Sequence, residues 1–91
     1  MNQSVLFPDL QEWNTQLTCI DFPAQVQGVN IQCRIGLVSL VRISDSVLNA
    51  NDQNISVKVL ALFDEYRFDI EEEVELLIEQ EAFDEQGRIT L

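Results

Sequence analysis

Asn54 to Phe83 reads NISVKVLALFDEYRFDIEEEVELLIEQEAF. On a helical projection, Val59, Leu60, Phe63, Tyr66, Ile70, Val74, Leu77 and Ile78 fall within about 60° of Phe63. The stripe keeps its phase throughout, so the spacing predicts a long amphipathic helix over about 55–82. Asp69 with Glu72 also forms a capping pair that would start a second helix at Ile70. The pattern allows one continuous helix, favoured by the unbroken phase, or two meeting near Phe68–Asp69. A straight helix of this span is roughly 42 Å long. A domain of 91 residues is roughly 30 Å across. The helix must therefore bend, break or meet a second copy. Burying the eight stripe side chains contributes at most about 12–24 kcal/mol before the entropy of ordering the chain is subtracted. That makes this element the base of the core. The opposite side carries Ala61, Phe68, Leu76 and Phe83, read either as lone exposed apolar residues or as a self-association surface that would make a homodimer.

Upstream, Leu17 to Ile35 reads LTCIDFPAQVQGVNIQCRI, with Gly28 where a tight turn needs a permissive residue. A two-residue turn at Gln27-Gly28 sets Val26 against Val29, Ala24 against Ile31, Phe22 against Cys33 and Ile20 against Ile35, all uncharged and all on one face. Asp21 then faces Arg34 on the other. A one-residue slip would spoil both faces, so the register is well specified. Pro23 falls at a non-hydrogen-bonded pair with its missing N–H directed outward, which makes the first strand an edge there. Cys33 faces the core and Cys19 the opposite side, so the two are read as thiols rather than a disulfide.

The remaining segments are shorter. Ser4 to Phe7 reads as a strand ended by Pro8-Asp9, and Leu10 to Asn14 as one helical turn that sets Trp13 against the body as a lid. Gly36 caps a short helix over about 37–48, with Leu37, Leu40, Val41, Val47 and Leu48 as its apolar positions. The polar loop NANDQN at 49–54 feeds the long helix, with Asn54 as its cap. Asp84 to Gly87 is a turn into a terminal strand over 88–91. The fold class is α+β, in two layers: a small antiparallel sheet (hairpin 17–35 plus strand 88–91) packed against a short and a long helix, in a single domain over 1–91.

Several of these features recur together: Phe7-Pro8-Asp9 followed by Trp13, Phe22-Pro23-Ala24, Gly28, Ile31-Gln32-Cys33, the step Phe63 to Arg67, Ile70-Glu71, and the terminal Gly87-Arg88-Ile89-Thr90-Leu91. In order and spacing the chain resembles the short bacterial family catalogued as domain of unknown function 1488, over nearly its whole length. Members often carry Ile-Ser where this chain has Ile35-Gly36, which bears on the cap of the short helix. The resemblance implies a small α+β fold and supplies no activity and no functional residues.

Composition narrows function further. The net charge is −11, divided as −3 over residues 1–52 and −8 over residues 53–91. Such acidity disfavours nucleic acid and anionic membranes and suits a basic protein partner or a divalent cation. The chain has no histidine, the commonest general base and metal ligand. No apolar run is long enough to span a bilayer, and the N-terminus lacks the form of a secretion signal, so a cytoplasmic address is expected. No phosphate loop, CxxC pair or nucleophile with a base occurs, and no catalytic residue, cofactor or metal site is expected. Glu71, Glu72 and Glu75 read first as a solvated helix face and otherwise as a weak cation site or, with Phe68 and Leu76, as the candidate interaction surface. Arg67 lies within the apolar stripe, where Glu71 can hold it at i+4; it is also the candidate ligand cation. The acids crowding the end of the helix oppose its dipole, so moderate salt is expected to stabilise the fold. The expected role is a small acidic interaction or accessory protein without catalytic activity. The alternative is a small-ligand or divalent-cation binding module.

Overall fold

The computed structural model describes residues 4–91; the first three, part of the N-terminal stretch read above for a secretion signal, lie outside the described residues. Strands β1 (Val5–Leu6), β2 (Glu12–Asn14), β3 (Cys19–Val26) and β4 (Val29–Gly36) are followed by helices α1 (Leu37–Ser44), α2 (Ile55–Glu65) and α3 (Arg67–Glu79) and by β5 (Ile89–Thr90). The molecule measures 41 × 23 × 20 Å.

The β3–β4 hairpin has the register set by Gln27-Gly28: Val26 faces Val29, Asp21 faces Arg34, and Ile20 faces Ile35. Gln27 at φ 53° and Gly28 at φ 81° are both left-handed, the conformation of a turn whose twist matches its strands. Phe22, Ala24, Cys33 and Ile35 are buried, whereas Val29, beyond the helical layer at the tip, is 63% exposed.

Pro23 explains the divided edge of this sheet. Both β1 and β2 pair antiparallel with β3, β1 at Val26 and Gln25 and β2 at Asp21, Ile20 and Cys19. Between them the chain leaves the sheet opposite Phe22 to Ala24, where proline has no N–H to offer a neighbour. The helical turn expected at Leu10 to Asn14 is therefore replaced by β2. Trp13 lies opposite Ile20 and packs on the core. Three residues hold too few alternations to separate a strand from a helical turn.

The sheet is mixed rather than wholly antiparallel. β5 lies beside β4, as expected of a third strand, but runs parallel to it, Cys33 facing Ile89 and Arg34 facing Thr90. The helices form a crossover between the two strands, and a crossover returns the chain in the same direction. β5 places Ile89 fully inside the core. A turn built on Asp84 leads into it: the Asp84 carboxylate accepts from the N–H groups of Gln86 and Arg88 at 2.9 and 2.8 Å. The Arg88 and Gln86 hydrogen bonds hold its carboxyl below the usual range.

α1 is shorter than the 37–48 expected. It begins after Gly36 and ends at Ser44, where Asp45 turns left-handed at φ 51°. Ser44 Oγ donates back to Leu40 O at 2.7 Å, a bond that competes with helix continuation. Val47, read as a helix position, stands 99% exposed.

The stretch 55–82 forms two helices, and the break is at Tyr66 rather than Phe68–Asp69. Tyr66 alone leaves helical geometry, at φ −104°, ψ 23°, while its N–H still donates to Leu62 O. The stripe keeps its phase across the break because one residue is too short an interruption to reset it. Val59, Phe63, Ile70, Val74 and Ile78 are buried, with Leu60, Tyr66 and Leu77 packed beside them. The Phe63 ring meets Phe22 edge to face at 5.0 Å, which ties helix to sheet. α3 ends at Glu79. Ala82 N–H donates to Leu77 O and Glu81 N–H to Ile78 O, with Glu81 at φ 56°. This is a paired carbonyl cap in which glycine is the usual occupant of the left-handed position.

Candidate interaction face on the third helix

Arg67 opens α3 and turns inward. Its Nε donates to Glu71 Oε2 at 2.8 Å, Nη1 to Gln11 Oε1 at 3.2 Å, and Nη2 to the carbonyls of Phe7 and Pro8 at 3.1 and 3.4 Å. Asp9 Oδ1 lies 3.5 Å from Nη1, and the guanidinium stands 5.5 Å from the Phe63 ring centroid. The segment that leaves the sheet opposite Pro23 is thereby fastened to the helical layer. A planar fork is suited to such a task, since it points donors in fixed, separate directions. Every guanidinium nitrogen is thus engaged within the chain. Several of the residues that carry the family resemblance, Phe7-Pro8-Asp9, Phe63, Arg67 and Glu71, meet at this one node. Sequence spacing showed only its i, i+4 pair.

The candidate surface residues divide at this point. Glu71 faces Arg67 and belongs to the node. Glu72, Glu75, Phe68 and Leu76 are all exposed. They share one side of α3 with Glu79: Phe68, Glu72 and Leu76 follow one another at i, i+4, as do Glu75 and Glu79 in the row beside them. Phe68 is 83% and Leu76 53% exposed. Ala61 is exposed on α2, and Phe83 beyond the end of α3.

Charge pairing makes this side distinctive. Among the described residues all five bases lie within 4 Å of a carboxylate: Arg34 with Asp21, Arg42 with Glu73, Lys58 with Asp52, Arg67 with Asp9 and Glu71, and Arg88 with Asp84. Six of the sixteen acids are used in this way, which leaves ten without a basic partner among the described residues. Six of those ten (Asp64, Glu65, Asp69, Glu72, Glu75 and Glu79) lie on α2 and α3, all exposed.

A second polar region occupies the outer side of the sheet. Arg34 Nε donates to Asp21 Oδ1 at 2.8 Å, and Asn14 Nδ2 to Asp21 Oδ2 at 3.2 Å. Burial pushes the Asp21 carboxyl up, but the Arg34 and Asn14 hydrogen bonds outweigh it and hold the group below its usual range. Burial and then the neighbouring Asp21 charge push the Cys19 thiol up, and burial pushes Cys33 up to about 12. Both cysteines are free and buried, and neither is activated as a nucleophile. An open cleft of about 390 Å³ is lined by Glu12, Trp13, Asn14, Thr15, Gln16 and Asp21. No base lines it, and Asp21 is committed to Arg34. Among the described residues no group of three or more His, Cys, Asp or Glu side chains is placed to hold a metal ion. No helix among them is long and apolar enough to cross a membrane.

The profile of the family "Protein of unknown function (DUF1488)" matches residues 5–91. The chain is similar to the uncharacterised protein YrdB of Escherichia coli K12, at 35% identity over all of this chain and 99% of that protein. It is also similar to YrdB of Shigella flexneri, at 34% identity with the same coverage. Among solved structures it resembles a protein of unknown function from Shewanella loihica PV-4, at 45% identity and a TM-score of 0.81, covering all of this chain and 94% of that one.

Proposed function

The chain belongs to the DUF1488 family, and on that footing we propose that it is a cytoplasmic, non-catalytic protein-binding module that works through the exposed side of α3. One observation carries this reading. Phe68 and Leu76 stand exposed among carboxylates that have no basic partner among the described residues, while the five lysines and arginines are engaged with other acids. Exposed apolar groups flanked by a single sign of charge supply both parts of a recognition surface, an apolar contact and a charge that selects the partner. Two buried thiols fit a reducing compartment.

The test is site-directed photo-crosslinking in the host cell. A crosslinking residue replaces Phe68 or Glu75 in turn and, as a control, Asn30 on the exposed hairpin tip. Discrete protein adducts from the two α3 positions and none from position 30 support the reading. Adducts from none of the three, or the same adducts from all, refute it.

A further inference from the structure

Resting on that reading, we infer that the partner element seated on α3 is a cationic amphipathic helix. Three observations narrow the occupant. The first is the backbone. The carbonyls at the end of α3 are already paired through Glu81 and Ala82, and an α-helix satisfies its interior internally. An extended peptide would find no free main-chain groups on which to add a strand. The occupant must satisfy its own backbone, and a helix does so.

The second is spacing. Phe68, Glu72 and Leu76 form one i, i+4 ridge with Glu75 and Glu79 in the row beside it, and the two apolar residues are two turns apart, about 12 Å. A helix laid along such a ridge presents its own residues at the same spacing. Its apolar positions then meet Phe68 and Leu76, and its lysines or arginines reach Glu72 between them and Glu75 and Glu79 alongside.

The third is charge. A second copy of this chain would bring another −11 and the same unpaired carboxylates against the first. Anionic lipid and nucleic acid are repelled for the same reason. A cation with no apolar side would leave Phe68 and Leu76 wet. Only a partner both basic and apolar completes the surface.

The experiment titrates the protein with an amidated leucine–lysine peptide of about 18 residues, leucines on one helical face, and with its leucine–glutamate counterpart. Calorimetry gives the affinity and backbone amide shifts locate the site. The lysine peptide is expected to bind with a Kd on the order of 1–100 μM and to shift α3 amides; the glutamate peptide is expected not to bind. Phe68→Ser with Leu76→Ser weakens binding by at least about tenfold. Glu72→Gln, Glu75→Gln and Glu79→Gln together weaken it by about tenfold and flatten its salt dependence. A control of equal charge change, Glu12→Gln, Asp45→Asn and Glu85→Gln, changes it by less than about twofold. Every altered residue is exposed, and circular dichroism verifies that each variant is folded. Equal weakening by the two charge triples means attraction to overall charge and overturns the inference. So does the absence of binding at about 1 mM, or shifts centred on the sheet. Should crosslinks form at positions 68 and 75 while the lysine peptide fails, the partner's chemistry is wrong and the interaction reading stands. Failure of both removes both.

Discussion

Replacing Arg67 with methionine removes the fork while keeping most of its apolar stem. All four bonds are charge-assisted by the guanidinium; the Glu71 bond at 2.8 Å has a charge on both partners, whereas those to Gln11, Phe7 O and Pro8 O go to neutral acceptors. Hydrogen bonds contribute about 0.5–1.5 kcal/mol each, and about 1.5–3 where a charge is involved. They do not add fully, and Arg67 is 21% exposed, so water recovers part of the loss. Glu71 is left half-buried without its cation, among like charges at Glu72 and Glu75. The net cost is about 2–4 kcal/mol. For a domain of this size that lowers Tm by roughly 10–25 °C. The assay is urea unfolding followed by circular dichroism, with limited proteolysis between Phe7 and Asn14 to report release of the strap. Arg67→Lys is expected to recover little, because one ammonium cannot reach separate acceptors in fixed directions. A methionine variant within about 0.5 kcal/mol of the parent would refute the claim that this node fastens the N-terminal segment.

Glu81→Gly should stabilise the fold by about 1 kcal/mol, measured as a higher urea midpoint, since Glu81 is left-handed at φ 56° and adds negative charge at a helix C-terminus. Gln27→Asn, at the left-handed turn position before Gly28, should raise stability by roughly 0.5 kcal/mol in the same assay. Asp21→Asn should destabilise the protein at neutral pH and cost little in acid. The lowered carboxyl pKa means that its contribution is present above the unfolded value of about 3.9 and is lost as pH falls through the folded value; urea midpoints at neutral and acid pH decide it. Melting temperature should rise from low to physiological ionic strength, because unpaired carboxylates repel and salt screens them; a fall would count against that reading.

The hairpin was legible because two signals agreed: a turn residue at Gly28 and strict alternation on either side, so that a one-residue slip would expose Phe22 and bury Asp21. The stripe from Val59 to Ile78 was legible because its phase survives a one-residue break, and for the same reason the break at Tyr66 was not. β2 was missed because Glu12 to Asn14 is too short to show a period. The direction of β5 followed from the crossover connection, not from any residue in Ile89–Thr90. At the candidate face, the exposed row Phe68, Leu76, Glu72 and Glu75 could be placed by helical angle. The pairing of Glu71 with Arg67 could be read from i, i+4 spacing; the rest of the node could not, because Arg67 is also held by the carbonyls of Phe7 and Pro8. Main-chain acceptors more than fifty residues away leave no trace in residue type.

The parallel seating of β5 also orders events in time. The β3–β4 hairpin is local and can close within microseconds of appearing, but Ile89 fills its slot beside Cys33 only after the intervening helices exist. Closing a loop of more than fifty residues is an entropic toll paid late. Until then β4 keeps an open edge and the core an open side. During synthesis the nascent chain therefore carries an unfinished sheet through most of its growth, and the step that seals it is the docking of Ile89.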